Sequence, residues 1–253
     1  MASRLSPHRA ARRVGRPRRG DAPLTRIRTV ETTGSTNADL LADTSAAEGD
    51  WLVALDQTAG KGRQGRHWVT KSGNFFGSTL VSIAPGDPPA QALSLVAGLA
   101  LIEALDGATP GERLSLKWPN DLLLDGVKVA GILLERQGDR VVIGFGVNLA
   151  AAPRLEDRTA AHLRGRIAPE AFAPILARSM DRMLALWRAT PPLDFSKAWL
   201  ARSHAIGTEL MVHGVNSAIV RGRFDGIDPD GTLRLRLPDG SVRAIHAADV
   251  TLG

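Results

Sequence analysis

The sequence predicts an α+β fold in which a large body is followed by a small β-barrel. Three observations indicate this. The chain has 253 residues, 43% of them hydrophobic, which is enough for one large core and a small appendage. Apolar strands and helices alternate irregularly up to about residue 205. Beyond that point only short alternating strands remain, separated by Pro-Asp-Gly turns.

The first 24 residues are predicted to lie outside the folded body. Residues 1–21 carry seven arginines against Asp21 alone, which accounts for the whole formal net charge of +6. The segment is rich in Arg, Pro, Gly and Ala and has few large apolar side chains, so it cannot bury a core. We expect a disordered extension at 1–24. A nucleic-acid-binding arm or a transit peptide is the alternative.

The body is predicted to span residues 25–205. The helix at 90–105 is apolar on nearly every side and is therefore expected in the core. The stretch 150–166 has no periodicity, and loops of that length in compact domains tend to be functional. The predicted elements are strand 25–30, helix 38–42 capped by Ser35, Thr36 or Asn37, strands 51–55 and 74–83, helix 90–105, strand 114–118, a hairpin over 121–135, strand 140–149, and helices 168–188 and 194–203.

A small barrel is predicted at 206–253. The turns Pro229-Asp230-Gly231 and Pro238-Asp239-Gly240 join its strands, because Asp and Gly tolerate the backbone angles of tight turns. The predicted strands are 209–213, 218–227, 232–237 and 241–247.

A glycine-rich basic loop follows the strand at 51–55. The run from Asp56 to Trp68 reads DQTAGKGRQGRHW. Glycine lets backbone N–H groups approach a ligand, and neighbouring Lys and Arg bind anionic oxygens such as phosphate. We therefore predict a nucleotide-binding loop, with a solvated basic turn as the alternative.

A second group of polar residues is predicted at one end of the sheet. The chain has only five lysines, and Lys117 and Lys128 both lie in predicted strands. A lysine that is buried must be paired with an anion. A lysine on the exposed face of a strand, which is the alternative, needs no such partner. Asp121 can pair with Lys128 or hold a metal carried by a nucleotide. Asn148 ends another strand at the same expected edge.

Several classes of protein are excluded by their missing signatures. The absence of cysteine rules out disulfides, thiolate metal sites and a cysteine nucleophile, and fits a reducing compartment. Residues 60–65 match G-x-G-x-x-G, but no helix pattern follows and Asp87, at the required spacing, lies in a Pro-rich turn. P-loop spacing, H-E-x-x-H and G-x-S-x-G are also missing. No apolar run approaches a membrane span and no signal peptide is recognisable, so we expect a cytoplasmic protein.

Five motifs, in their order and spacing, resemble biotin protein ligases of the form without an N-terminal DNA-binding domain. The motifs are GSTN at 34–37, QTAGKGRQGRHW at 57–68, KWPND at 117–121, KVAGILLE at 128–135 and GFGVNL at 144–149. The resemblance runs from about residue 28 to the end. It implies a mixed-sheet catalytic domain of the biotin/lipoyl ligase type at 25–205 and an SH3-like barrel at 206–253.

The resemblance implies an AMP-forming reaction that uses ATP with Mg²⁺. The carboxylate of biotin attacks the α-phosphate of ATP, which gives biotinyl-5′-AMP and pyrophosphate. A specific lysine of a biotin carboxyl carrier protein then accepts the biotinyl group. Because both reacting groups are anions, alignment and charge neutralisation are expected to dominate catalysis.

The resemblance also assigns residues to roles, and we expect no metal site formed by the protein itself. The implied catalytic residues are Lys128, Arg63 and Asp121. The implied biotin-binding residues are Ser35, Thr36, Asn37, Gln57, Gly60, Lys61, Gly62, Arg63, Lys128 and Gly131. The implied nucleotide-binding residues are Arg63, Arg66, Trp68, Asn120, Lys128 and Asn148.

Two features depart from the family. Lys61 stands where the family loop commonly has arginine, so the charge is kept but the bidentate fork is lost. Repressor members carry a helix-turn-helix domain, whereas only about 25 residues precede the body here. We therefore expect the carrier domain as partner, with no specific DNA binding and no membrane, and leave a homodimer open.

Two other functions stay open at this point. One is a related ligase or transferase for lipoate or octanoate, although Gln57 and the Ser35–Asn37 set favour a polar ureido ring. The other is a nucleic-acid-binding regulator that uses the basic segment 1–24.

Overall fold

The computed structural model describes residues 26–154, 159–189, 192–213, 219–246 and 248–252. The predicted extension at 1–24 lies outside these residues, as does part of the predicted loop at 150–166. The described chain forms two β-sheets with four α-helices, which confirms the α+β class.

A mixed seven-stranded sheet forms the larger domain. Its strands are β1 (Ile27–Thr33), β2 (Trp51–Gln57), β3 (Phe75–Ser82), β4 (Leu114–Lys117), β5 (Asp121–Leu124), β6 (Val127–Gln137) and β7 (Arg140–Val147). They are ordered β1-β2-β3-β7-β6-β5-β4, with β1 and β2 parallel and the other neighbours antiparallel. The β5–β6 hairpin turns at Asp125 and Gly126, with φ of 50° and 80°, as the Asp-Gly pair predicts.

Helices cover both faces of this sheet. They are α1 (Thr36–Ala42), α2 (Leu93–Ala108), α3 (Pro169–Ala189) and α4 (Pro192–Leu200). On one face Leu40 of α1 packs with Leu52, Leu80 and Val142, and on the other face α2 and α3 pack over the sheet. The result is a three-layered domain with the sheet between two layers of helices.

The central helix differs slightly from its predicted bounds. It begins at Leu93, because Ala90–Ala92 forms a 3₁₀ turn after Pro89. The stretch Ala90–Ala108 is long and apolar enough to cross a membrane, but most of it is buried inside the protein. This burial is what the sequence predicted for a core helix.

The second sheet is small and antiparallel. Its strands are β8 (Glu209–His213), β9 (Ile219–Ile227), β10 (Leu233–Arg236), β11 (Val242–Ile245) and β12 (Asp249–Leu252). They are ordered β11-β10-β9-β8-β12. Four strands match the predicted ones, whereas β12 had no predicted counterpart. The sheet is consistent with the expected SH3-like barrel, and the boundary at 205/206 stays a prediction.

Candidate active site

A cavity of 640 Å³ opens where the glycine-rich loop, the β4–β5 turn and β12 meet. Every predicted site residue except Gly60 lines it. Gly60 lies just behind the wall, since a Cβ there would come within 3.1 Å of Gln57 Nε2 and 3.2 Å of Trp68 O. The predicted residues that line the cavity are Ser35, Thr36, Asn37, Gln57, Lys61, Gly62, Arg63, Arg66, Trp68, Asn120, Asp121, Lys128, Gly131 and Asn148.

The first turn of α1 forms a polar end of the cavity. Ser35 caps the helix, and its side chain accepts from Ala38 N–H at 3.5 Å. The backbone N–H of Thr36 donates to Gln57 Oε1 at 2.8 Å, and Thr36 Oγ1 lies 3.1 Å from the same oxygen. Because its oxygen is bound by a backbone donor, the Gln57 amide is held in one orientation.

Asn37 is buried beside this polar end with its amide bound on both sides. Its Nδ2 donates to Glu135 Oε2 at 2.8 Å and to Leu133 O at 3.2 Å. Its Oδ1 lies 2.7 Å from Ser78 Oγ. A Cβ on Gly144 would collide with the Asn37 amide, so this strand position has no room for a side chain.

The glycine-rich loop is folded back on itself. Gly62 N–H donates to Arg66 O at 2.7 Å across a 3₁₀ turn at Arg63–Gly65. Gln64 and Gly65 have φ of 56° and 72°, the left-handed region that glycine adopts without cost. This turn brings the guanidinium groups of Arg63 and Arg66 to the same wall of the cavity.

Asp121 lies between two lysines. Its Oδ1 is 2.5 Å from Lys128 Nζ, and its Oδ2 is 3.5 Å from Lys117 Nζ. The β4–β5 register places Lys117 opposite Asp121, and the β5–β6 hairpin brings Lys128 alongside. One carboxylate thus faces two cations, which leaves excess positive charge at this wall.

Trp68 lies over two glycines of the central strands. Gly131 and Gly146 are directly paired in the β6–β7 register. A Cβ on Gly146 would come within 2.5 Å of Trp68 Cε2, and one on Gly131 within 3.0 Å of Cζ3. The Lys128 Nζ atom lies 5.6 Å from the Trp68 ring centroid, within reach of a cation–π interaction. The two glycines therefore make the shelf on which the indole rests.

The barrel contributes an acidic residue to the cavity. Asp249, the first residue of β12, has Oδ2 at 2.9 Å from Arg66 Nη2 and Oδ1 at 3.6 Å from Arg63 Nη1. Arg63 Nη1 also donates to the carbonyl of Ala248 at 3.0 Å. The pKa of the Arg63 guanidinium is lowered, chiefly by burial and also by the charge of Arg66, although the charges of Asp249 and Asp121 oppose this. Arg63 is thus a partly desolvated cation held by the barrel.

Asn148 binds the backbone that forms one wall. Its Nδ2 donates to Ala161 O at 3.0 Å, and its Oδ1 accepts from Asn74 Nδ2 at 3.3 Å. Asn74 is fully buried and its own oxygen accepts from Ala150 N at 3.0 Å. These bonds secure both described ends of the loop at 150–166, part of which lines the cavity.

Comparisons with known proteins agree with this architecture. The biotin/lipoate A/B protein ligase family matches residues 27–148, and the biotin protein ligase C terminal domain matches 214–253. The chain is 40% identical over 240 residues to the biotin–[acetyl-CoA-carboxylase] ligase of Paracoccus denitrificans, covering 87% of this chain and 98% of that one. The chain belongs to the biotin protein ligase family. A ligase of the same name from Mycobacterium tuberculosis is 38% identical, with 87% and 86% covered.

Solved biotin protein ligases share the fold. The Aquifex aeolicus enzyme in complex with biotin and ATP has a TM-score of 0.79 at 24% identity, covering 90% of this chain and 98% of that chain. The Leishmania major enzyme in complex with biotinyl-5-AMP has a TM-score of 0.62 at 22% identity, covering 88% and 99%. At these identities the likeness supports the fold and carries no residue roles.

Sequence reasoning missed three residues that contribute to this cavity or support its lining. Asp249 comes from a strand that was not predicted. Ser78 and Glu135 lie within predicted strands and bind Thr36 and Asn37 from outside the cavity lining. The one signal that could have indicated the missing strand is the alternation of polar and apolar residues in DVTL at 249–252.

Proposed function

We propose that the chain activates biotin with ATP to form biotinyl-5′-AMP and transfers the biotinyl group to a lysine of a biotin carboxyl carrier protein. The observation that carries this proposal is one cavity with an uncharged polar end and a cationic wall. Biotin has a neutral cyclic urea at one end and a carboxylate at the other, and ATP brings further anionic oxygens. The names of the relatives from Paracoccus and Mycobacterium support the same reaction.

The polar end suits the cyclic urea. Ser35, Thr36, Asn37 and Gln57 are amides and hydroxyls held by the helix start and by neighbouring strands. Such groups bind a neutral ring with several donors and acceptors without the cost of burying a charge. We assign this end to the ureido ring, with Gly60 closing the loop behind Gln57.

The cationic wall suits the junction between carboxylate and α-phosphate. Lys128 donates to Asp121 while it faces the cavity, so its ammonium is held where two anions must approach each other. Fixed positive charge lowers their repulsion and stabilises the charge that develops on the phosphoryl oxygens. We assign Lys128 and Arg63 to this task, Asp121 to positioning Lys128, and Lys61 and Gly62 to the carboxylate side of the loop.

The remaining lining residues suit the nucleotide. Trp68 offers an aromatic face above Gly131, and Arg66 and Asn120 lie nearby in the same cavity. We assign Trp68, Arg66 and Asn120 to the binding of ATP. We assign Asn148 to holding the backbone of this wall in place. Among the described residues no group of three or more His, Asp or Glu could hold a metal ion, so we propose that Mg²⁺ arrives on the ATP phosphates. We propose that the reaction takes place in the cytoplasm, where ATP is available.

Pyrophosphate exchange tests this proposal against a lipoate or octanoate enzyme. The protein is incubated with labelled pyrophosphate and Mg-ATP plus biotin, lipoate or octanoate. We expect exchange with biotin only, because the oriented amides match a cyclic urea better than a dithiolane or an alkyl chain. Exchange that prefers lipoate or octanoate would replace the proposal with the related activity.

A further inference from the structure

Glu135 does not line the cavity, yet it determines how the polar end is hydrogen-bonded. It lies half-buried on β6, two residues after Leu133 and on the same face of the strand. Glu135 Oε2 and the Leu133 carbonyl accept both hydrogens of the Asn37 amide, at 2.8 and 3.2 Å. A flipped amide would turn its oxygen toward these two acceptors, so the orientation of Asn37 is fixed.

This orientation determines the direction of the next hydrogen bond. Asn37 Oδ1 can only accept, and Ser78 Oγ lies 2.7 Å away, so Ser78 donates to Asn37. Ser78 Oγ also lies 2.7 Å from Thr36 Oγ1. Because Ser78 has a single hydroxyl hydrogen, the hydrogen in this second contact must come from Thr36. Ser78 is fully buried and does not line the cavity, so water does not supply the hydrogen of this contact.

Thr36 is thereby left as an acceptor toward the cavity. The Thr36 hydroxyl donates its hydrogen to Ser78. Thr36 Oγ1 also lies 3.1 Å from Gln57 Oε1, but that oxygen already accepts a shorter hydrogen bond, of 2.8 Å, from the Thr36 backbone N–H. Gln57 keeps its amide N–H groups, which donate to no described residue. The polar end therefore presents an acceptor at Thr36 beside donors at Gln57.

We propose that Glu135 is a positioning residue that orders the chain Thr36–Ser78–Asn37–Glu135, so that Thr36 accepts a hydrogen bond from a ring N–H of the ligand. The negative charge of Glu135 at the end of the chain polarises each bond and makes the Thr36 oxygen a better acceptor. This inference rests on the proposed function, since biotin is the ligand whose ring carries such an N–H beside a carbonyl.

Glu135→Leu and Glu135→Gln test the proposal, with Glu31→Leu on the exposed face of β1 as a matched control. Leucine removes the terminal acceptor, whereas glutamine keeps an oxygen for the Asn37 amide. Calorimetric binding of biotin without ATP is measured for each protein, as are KM and kcat of biotin-dependent pyrophosphate release in the presence of a biotin carboxyl carrier domain, which consumes the adenylate. An analogue of biotin methylated on a ring nitrogen serves as the second ligand.

We expect Glu135→Leu to raise the Kd and KM for biotin about tenfold, as loss of a charge-assisted bond does, while kcat and the KM for ATP change less than about twofold. The preference for biotin over the N-methyl analogue should shrink. Glu135→Gln should stay within about threefold of wild type, because it retains the acceptor. Ser78→Ala, which cuts the chain next to Thr36, should reproduce the loss.

Three results would overturn the assignment of Glu135. They are unchanged biotin affinity in Glu135→Leu, equal losses in the leucine and glutamine variants, or a loss that falls on kcat with an undiminished preference for biotin. If a variant unfolds, the Ser78→Ala measurement decides in the same way. A wild-type protein that neither binds biotin nor releases pyrophosphate would instead overturn the proposed function together with this inference.

Discussion

Asp249 and Arg66 form an ion pair between the barrel and the glycine-rich loop, with 2.9 Å between Asp249 Oδ2 and Arg66 Nη2. The same carboxylate lies 3.6 Å from Arg63. The loop that carries the proposed phosphate ligands is therefore connected to the last barrel strand before any ligand arrives. The barrel lacks the cationic motifs, and through this contact it holds two arginines that line the cavity.

The first prediction concerns this interdomain contact. Asp249→Ala should speed amide hydrogen exchange at Gly62 and Trp68 by about threefold to tenfold, since a charge-assisted contact that holds the loop is lost. Asp225→Ala is the matched control, because Asp225 also pairs with two arginines, Arg234 and Arg236, but within the barrel. Equal exchange of the loop in both variants would mean that Asp249 does not hold it.

The second prediction concerns Arg63→Gly. Adenylation should survive at a lower rate because Lys128 remains, but the adenylate should dissociate faster once the guanidinium is gone. Free biotinyl-AMP would then react with lysines of an unrelated protein. The measurement is labelling of albumin at matched turnover by wild type and mutant.

Gln64→Gly is the control for this experiment. It adds the same backbone freedom next to Arg63, at a residue whose φ is already 56°, and removes no charge. We expect it to label albumin no more than wild type. If Arg63→Gly also labels no more than wild type, Arg63 does not retain the intermediate.

The third prediction concerns the glycine shelf under Trp68. Gly146→Ala should displace the indole, because the new Cβ would lie 2.5 Å from Cε2, and we expect ATP affinity to fall about tenfold. Gly107→Ala in α2 meets nothing within 4 Å and should leave ATP affinity unchanged while stabilising the helix by about 0.5–1 kcal/mol. Calorimetric titration with ATP compares the two variants. Equal affinities for ATP would show that the glycines beneath Trp68 do not position its ring for the nucleotide.

The fourth prediction concerns His204 at the junction with the barrel. Its ring lies 4.3 Å from that of Phe224, and neither ring nitrogen has a partner among the described residues. Burial lowers the pKa of His204, and the charge of Lys117 adds to this effect. The unfolded chain therefore takes up a proton near pH 6.5 that the folded protein binds only at lower pH.

The free energy of unfolding should consequently fall as the pH drops below about 6.5. In His204→Phe, which keeps an aromatic contact with Phe224, this fall should be smaller. Urea unfolding of both proteins at pH 7.5 and pH 5.5 measures it. The same loss of stability in both proteins would show that His204 does not contribute to the pH dependence.

The sequence was informative where short motifs carry backbone geometry. The Asp125-Gly126 turn, the Ser35 cap and the glycines of the loop could be predicted because each depends on local conformation. Their convergence in one cavity followed from the resemblance and from strand ends that share one edge of a sheet.

The contributions of Ser78, Glu135 and Asp249 depend on packing between distant segments and could not be predicted in this way. Within a strand, Ser78 and Glu135 look like ordinary polar positions, and their partners lie 41 and 98 residues away from them in the chain. Asp249 meets Arg66 across 183 residues, through the placement of one domain against the other. Local sequence patterns do not predict contacts between residues that lie so far apart in the chain.

Transfer of biotin to a carrier domain tests the central claim most directly. The protein is incubated with biotin, Mg-ATP and a purified biotin carboxyl carrier domain, and the carrier is analysed by mass spectrometry alongside a form with its acceptor lysine changed to arginine. We predict one biotinyl group on the wild-type carrier, none on the variant, and pyrophosphate release that is lost in Lys128→Ala with the fold intact. An unmodified carrier, or full activity of Lys128→Ala, would contradict the account.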